Sequence, residues 1–180
     1  MADYIFTSQR LGFRNWVSAD VPSMTEISAN KEVMEFFPYE ATPAQTKTFI
    51  ERMQTMFTEN GYCYFAVDRI DTNEFIGFIG LCYQKNNLSF SPYIDIGWRL
   101  SPKHWGNGFA TEGAKRCLQY AFEKLKLKTI LSTAPLANIK SIAVMEKIGM
   151  SKKFEFIHPK LLGNKYLENC VCYSVSKKTS

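Results

Sequence analysis

Three features of the sequence predict a mixed α/β (α+β) fold with one central, mostly antiparallel sheet and helices on both faces. Helical patterns cluster before residue 60. A meander of strand patterns follows, and a single strand–helix–strand crossover then joins Tyr93 to Thr129. The chain shows no internal repeat, low-complexity tract or linker, so one domain over residues 1–180 is expected.

Taken in order, Arg10-Leu11-Gly12-Phe13-Arg14 alternates and reads as a first strand. Ser18-Ala19-Asp20-Val21-Pro22 supplies capping side chains and an early proline, predicting a helix to about Asn30. Lys31 to Phe37 reads as a further helical turn ended by Pro38. Thr42-Pro43 opens another helix with an apolar face of Phe49, Ile50, Met53 and Phe57, and Asn60-Gly61 stops it. Tyr62 to Val67 and Phe75 to Tyr83 form a hairpin across the polar turn 68–74, with Gly77 and Gly80 marking a bulge or a close neighbour. After the polar loop from Lys85 to Pro92, Tyr93 to Leu100 alternates as a strand. Ala110, Ala114, Leu118, Ala121, Phe122 and Leu125 then recur at helical steps. Thr129 to Ala134 is rich in β-formers, Asn138 to Ile148 is helical up to Gly149, and Met150 to Ile157 and Asn169 to Ser176 close the sheet around the loop His158 to Gly163.

With 180 residues the chain can bury a substantial core, and 46% apolar with 22% charged residues is ordinary for a soluble globular protein. The N-terminus lacks a basic region followed by an apolar core, and no apolar run approaches the length of a bilayer span. A cytoplasmic setting without a membrane partner is therefore expected. Cys63, Cys82, Cys117, Cys170 and Cys172 are odd in number, lie inside predicted elements and form no Cys-x-x-Cys pair. With His104 and His158 the only histidines, buried reduced thiols and no metal are expected. Charge is asymmetric: residues 1–97 hold 7 Lys and Arg against 12 Asp and Glu, whereas residues 98–180 hold 15 against 5. The second half is thus suited to a polyanion and the first half is free to face a cation, although solvated surface lysine explains much of the imbalance. Lys124, Lys126 and Lys128 have no nucleic-acid motif around them, so no nucleic-acid partner is expected.

The chemistry concentrates in Trp105-Gly106-Asn107-Gly108-Phe109-Ala110, which lies between a strand and a helix. At such a junction the first helical amides have no internal partner, the helix dipole is positive, and glycine lets a ligand approach the backbone. This predicts a cradle for the pyrophosphate of a coenzyme. Two familiar phosphate motifs do not fit: Gly106-x-Gly108-x-x-Thr111 lacks the third glycine of the dinucleotide fingerprint, and no Gly-Lys-Ser/Thr follows.

Asp95 to Leu100, Trp105 to Glu112, Asn138-x-x-Ser141 and Met145 to Met150 together resemble the GNAT N-acetyltransferases. The likeness is greatest to the branch of the ribosomal-protein alanine acetyltransferases, called RimJ/RimL-like. It covers most of the chain, with Arg10 to Arg14 matching that branch's opening strand. The resemblance implies a sheet splayed at its middle and direct transfer, in a ternary complex, of an acetyl group from acetyl-CoA to a primary amine. That amine is either a protein N-terminus or a small molecule, and the protein a monomer or homodimer. It further implies that the amides of Trp105, Gly106, Asn107, Gly108, Phe109, Ala110 and Thr111 bind the pyrophosphate, while the backbone of Trp98, Arg99 and Leu100 pairs with pantetheine. The family's coenzyme motif falls on Trp105, Gly108 and Ala110, with Trp105 departing from the general Gln or Arg.

Many family members carry a carboxylate where Asp95 stands, making it the candidate base, directly or through a water. A structural carboxylate bonded to loop amides is the other reading. Alternation places Asp95 on the same strand face as Gly97 and Arg99. Many relatives have a tyrosine seven residues after the asparagine; here it is Met145, which cannot donate a proton. The acid role therefore falls to Ser141 or to bulk water, and the same departure leaves open a catalytically impaired CoA-binding module. Asn138 either fixes the pantetheine amides, caps its helix, or does both. Glu112 reads as a structural carboxylate at a helix start, and His104 as a solvated loop residue beside the cradle. His158-Pro159 and the aromatics Trp16, Phe36, Phe37, Tyr39 and Tyr83 are candidates for the acceptor pocket or for the core.

Overall fold

The computed structural model describes residues 3–177. Its strands are β1 (Phe6–Thr7), β2 (Leu11–Arg14), β3 (Tyr64–Arg69), β4 (Phe75–Gln84), β5 (Tyr93–Leu100), β6 (Thr129–Pro135), β7 (Ser151–Ile157) and β8 (Asn169–Ser176). The helices are α1 (Val21–Ala29), α2 (Pro43–Asn60), α3 (Phe109–Gln119, continued by a π-helical turn Tyr120–Lys124) and α4 (Ile139–Lys147). The strands form one sheet in the order β1-β2-β3-β4-β5-β6-β8-β7. Every neighbouring pair is antiparallel except β5 and β6. That parallel pair follows from the crossover through α3, because a strand–helix–strand connection returns the chain in the same direction.

Local chemistry explains the helix ends. Thr42 caps α2 by accepting from the Gln45 amide at 3.2 Å, while Gln45 accepts the Thr42 amide at 2.8 Å. This is a reciprocal capping box, with Pro43 in the first turn. Gly61 ends α2 in the left-handed region at φ 73°. Residues 31–37 form turns and no regular helix, with one helical bond, from the Met34 amide to the Asn30 carbonyl at 3.0 Å, where a single helical turn is expected. Asn30 leaves α1 in an extended conformation and caps this turn, its Oδ1 accepting the amides of Glu32 and Val33, so the turn starts afresh and does not continue α1. The two-residue β1 also escapes the sequence reading, being too short to show a period.

The apolar stripes meet as their periods require. Leu11 and Phe13 of β2 and Ile79 of β4 face α3, where a Cβ on Gly113 would lie within 3.3 Å of all three side chains. Phe78, the neighbour of Ile79, points to the other face, where its ring lies 5.4 Å from that of Phe49 on α2. In the hairpin, the β3–β4 register shifts between Val67 and Asp68, opposite Gly77. A Cβ at Gly80 would meet the Cys63 carbonyl oxygen at 2.2 Å, so both anticipated features of β4 are present.

An ionic cluster joins the first strand to the hairpin. Arg14 donates to Asp68 at 2.7 and 2.9 Å and to Asp20 at 2.8 Å through both terminal nitrogens, and all three side chains are largely buried. Truncating the cation strands two buried carboxylates. Arg14→Ala is therefore expected to lower unfolding free energy in urea by about 3–5 kcal/mol. A loss below about 1 kcal/mol, the level of a surface ion pair, would show that the cluster is solvated.

Candidate active site

β5 and β6 share one registered pair, Asp95 with Leu131. One residue further on, Ser132 Oγ donates to the Ile96 carbonyl at 2.9 Å, filling a bond that the backbone of β6 no longer makes. Beyond this point the strands part around a cavity of about 560 Å³. Asp95, Gly97, Trp98 and Arg99 line it from β5, Ser132 to Pro135 from β6, and Asn138, Ser141 and Met145 from the start and inner face of α4. His158, Pro159, Phe36 and Phe37 also line it, so these sequence candidates do reach the cavity. Tyr39 lines a smaller neighbouring cavity, Trp16 is core, and Tyr83 is largely exposed.

Asp95 stands where the strands begin to separate, and it is buried. Burial pushes its pKa up from 3.8 to about 7, against a hydrogen bond from the Tyr64 hydroxyl that favours the anion. Tyr64 in turn accepts from Gln84 Nε2 at 3.3 Å, which orients its proton toward Asp95. Burial, then the nearby Asp95 charge, holds the phenol well above its ordinary pKa, so Tyr64 remains a donor at neutral pH. Sequence reasoning missed this tyrosine. It enters through register, because Tyr64 pairs with Gly80 and Gly80 with Gly97. A Cβ on Gly97 would come within 3.1–3.2 Å of the Tyr64 ring, so glycine there lets the ring lie across β5 and reach Asp95. Strand alternation puts Tyr64 on a face but does not identify what lies opposite, and no motif carries that information.

After β5 the chain enters the glycine loop. Leu100 accepts the Trp105 indole N–H at 2.9 Å through its carbonyl, pinning the loop to the strand end. Asn107 Nδ2 bridges the carbonyls of His104 and Trp105 at 3.2 and 3.0 Å, while Arg10 holds the Asn107 carbonyl at 3.1 Å. Gly106 and Gly108 adopt φ of 76° and 77°, and an added Cβ would meet nothing within 4 Å at the first and only Arg10 Nη2, at 3.7 Å, at the second. Among the described residues, the first amide to enter the α3 ladder is that of Glu112, which donates to the Gly108 carbonyl at 3.0 Å. The amides of Gly106, Asn107, Gly108, Phe109, Ala110 and Thr111 precede it and are left without a backbone acceptor, whereas that of Trp105, expected among them, already donates to the Pro102 carbonyl at 3.1 Å. Phe109 contributes only its backbone, because its ring is buried beneath the Arg10 guanidinium.

The surrounding residues fix this geometry. Glu112 accepts from Ser8 Oγ at 2.7 Å and from Arg10 through its amide and Nε at 2.8 and 2.7 Å, tying the N-terminal segment to α3. His104 is buried within 3.3 Å of Glu74, contrary to the solvated loop residue expected, because the turn Pro102–His104 folds it inward against Phe109. Asn138 caps α4 through Oδ1, which accepts the Ser141 amide at 3.1 Å. The loop lies outside the cavity wall, and α4 links the two: Asn138 and Ser141 face the cavity, while Lys140 Nζ lies 4.9 Å from the Trp105 ring.

The family described as "Acetyltransferase (GNAT) domain" matches residues 10–151. This chain is a GNAT acetyltransferase. The acetyltransferase is 29% identical to the N-acetyltransferase YnaD of Bacillus subtilis over 148 residues, covering 82% of each chain. A GNAT-family acetyltransferase of Bacillus anthracis has the same fold, with TM-score 0.77 and 27% identity over 94% of this chain and 96% of its own. A Vibrio cholerae spermidine N-acetyltransferase, solved with CoA and spermine, shares the fold at TM-score 0.72 and 20% identity, over 93% and 95% of the two chains. Among the described residues, no helix of the acetyltransferase is long and apolar enough to cross a membrane.

Proposed function

We propose that the protein is an acetyl-CoA-dependent N-acetyltransferase of the RimJ/RimL-like branch, acting on a primary amine by direct transfer within one cytoplasmic domain. The observation that carries this reading is the place of Asp95: a buried carboxylate with pKa near 7, where the parted strands open a cavity. A carboxylate so poised takes up a proton near neutral pH, which is what deprotonating an amine requires.

The residues present fit the co-substrate. The free amides of residues 106–111 and the open space over Gly106 and Gly108 suit a diphosphate. Beyond Asp95 and Leu131 the edges of β5 and β6 that face each other make no registered pair, and pantetheine amides could satisfy them as an added strand would. Trp98 is the best placed for this role, because alternation turns the Arg99 N–H and C=O toward Phe78 of β4 and Leu100 already commits its carbonyl to Trp105. Acetyl-CoA supplies the activated acetyl thioester. Asp95 accepts the amine's proton, directly or through a water, while Tyr64 holds the carboxylate in place. Asn138 fixes the start of α4, and Ser141 is the candidate donor to the departing thiolate, since Met145 is thioether and buried. Either acceptor type, a protein N-terminus or a small-molecule amine, is compatible with a wall built from many separate segments.

Calorimetry with acetyl-CoA, together with a thiol-release assay over peptides and small amines, tests this reading. Micromolar binding and turnover of at least one amine are expected. Binding without turnover would favour the CoA-binding module suggested by Met145, and absence of binding would remove the proposal. A sharper test uses Tyr64→Phe. The lost hydrogen bond stabilised the ionised form of Asp95, so the rising limb of kcat/KM moves to higher pH. Below that limb activity falls roughly tenfold or more, as expected for a hydrogen bond to a charged group. An unmoved limb with a uniformly lower rate would show that Tyr64 does not act through Asp95.

A further inference from the structure

Arg99 projects from the same β5 face as Asp95, and its surroundings are unusual for an arginine. Its Nε is buried and has no hydrogen-bond partner among the described residues, and one terminal nitrogen reaches only Ser28 Oγ, at 3.3 Å. The guanidinium lies 4.3 Å from the Phe37 ring and 5.4 Å from that of Phe78. Among the described residues no carboxylate neutralises it, and burial lowers its pKa to about 10. It stands at the junction of the splay cavity and the smaller one of about 250 Å³, lining both. A buried donor without a partner is costly and calls for an acceptor.

The charge of the wall agrees. Among the described residues, Arg52, Lys85, Arg99 and Lys160 line the splay cavity against Asp95 alone, and no carboxylate lines the smaller one. The acidic excess of residues 1–97, which suited a cationic acceptor, is therefore not carried by these walls. Aromatic faces could attract a second cation, but Arg99 already occupies those of Phe37 and Phe78. Charge complementarity thus runs against a polyamine.

We propose that the acceptor is an amine that also bears an oxyanion, a carboxylate or a phosphate ester, and that Arg99 binds this oxyanion where the two cavities meet. The proposal rests on the acetyl-transfer reading above. Guanidinium geometry suits either oxyanion, presenting parallel donors to a planar or tetrahedral group.

The test compares matched amines: β-alanine with propylamine, phosphoethanolamine with ethylamine, triglycine with its C-terminal amide, and putrescine as the dicationic arm. Wild-type kcat/KM is expected to favour the anionic member of at least one pair by tenfold or more, and the pair that responds separates carboxylate from phosphate. Arg99→Met is expected to collapse that ratio to near one, and Arg99→Lys to retain part of it. Because the ratio is read within one variant, a general loss from disturbed coenzyme binding cancels. A preference for putrescine or the neutral amines in wild type overturns the proposal, as does an unchanged ratio in Arg99→Met. A second readout needs no turnover: N-acetyl-β-alanine, but not N-propylacetamide, raises the melting temperature of wild type and not of Arg99→Met. If no amine supports thiol release, the acetyl-transfer reading fails. The melting shift then still decides on the anion site, and its absence overturns it.

Discussion

Asp95→Asn is expected to lower kcat/KM for amine acetylation roughly 100- to 10,000-fold, the range for loss of a positioned general base. It should also abolish the rise of activity through pH 7. In the wild type the carboxylate titrates at about 7, so activity climbs as it ionises and then levels. The same substitution should have the opposite effect on stability. Because the folded pKa lies above the unfolded value of 3.8, folding takes up a proton between these limits. Stability is therefore greatest below the unfolded value, falls as pH rises, and bears the full cost of burying the anion above the folded value. From 3.8 to about 7, at about 1.36 kcal/mol per pH unit, that cost is on the order of 4 kcal/mol as an upper bound. Asparagine keeps the shape and can still accept from Tyr64 without the charge. Urea denaturation should find Asp95→Asn more stable than wild type at pH 8 by up to a few kcal/mol, with the advantage gone near pH 4. A variant less stable at both values, with a wild-type pH profile, would mean that Asp95 is a structural carboxylate.

Gly108→Val is expected to weaken acetyl-CoA binding about 10- to 100-fold while leaving the fold intact. At φ 77° a side chain other than glycine's is strained, by about 1–2 kcal/mol. The added atoms otherwise meet little protein, since the nearest neighbour of a Cβ there is Arg10 Nη2 at 3.7 Å. They would occupy the space above the free amides, where the proposed diphosphate would sit within hydrogen-bonding distance of the backbone. A chain of this size loses about 2–4 °C in melting temperature per kcal/mol, so the stability effect is a few degrees. Calorimetry and thermal melting separate the two effects. Unaltered affinity with the expected drop in melting temperature would place the diphosphate elsewhere.

Much of this architecture is visible in the sequence because short-range chemistry determines it. The Thr42, Pro43 and Gln45 capping signals and the terminating Gly61 are complete within a few residues, and α2 forms between them. The glycine loop is equally local: a strand period, two glycines and a helical period suffice to predict unpaired amides at a helix start, and the structure has them. Where reading failed, a side chain intervened or the element was too short. Asn30 ends α1 and caps a separate single turn, so residues 31–37 form no regular helix, and β1 spans two residues. His104 appeared to be a solvated loop residue because nothing local shows that Glu74 and Phe109 enclose it.

By itself the sequence determined all but the shortest of the elements, their order, the antiparallel meander with its single crossover, and the unpaired amides of the glycine loop. These depend on periods, caps and turns, whose interactions reach no further than a helical turn or a strand's own faces. Only the tertiary structure decided that Tyr64 would meet Asp95, that burial would bring that carboxylate to about 7, and that Arg99 would be enclosed without a counter-charge. These properties depend on register between strands distant in sequence and on how completely water is excluded. Desolvation and partner geometry belong to the assembled fold, and no spacing along the chain encodes them.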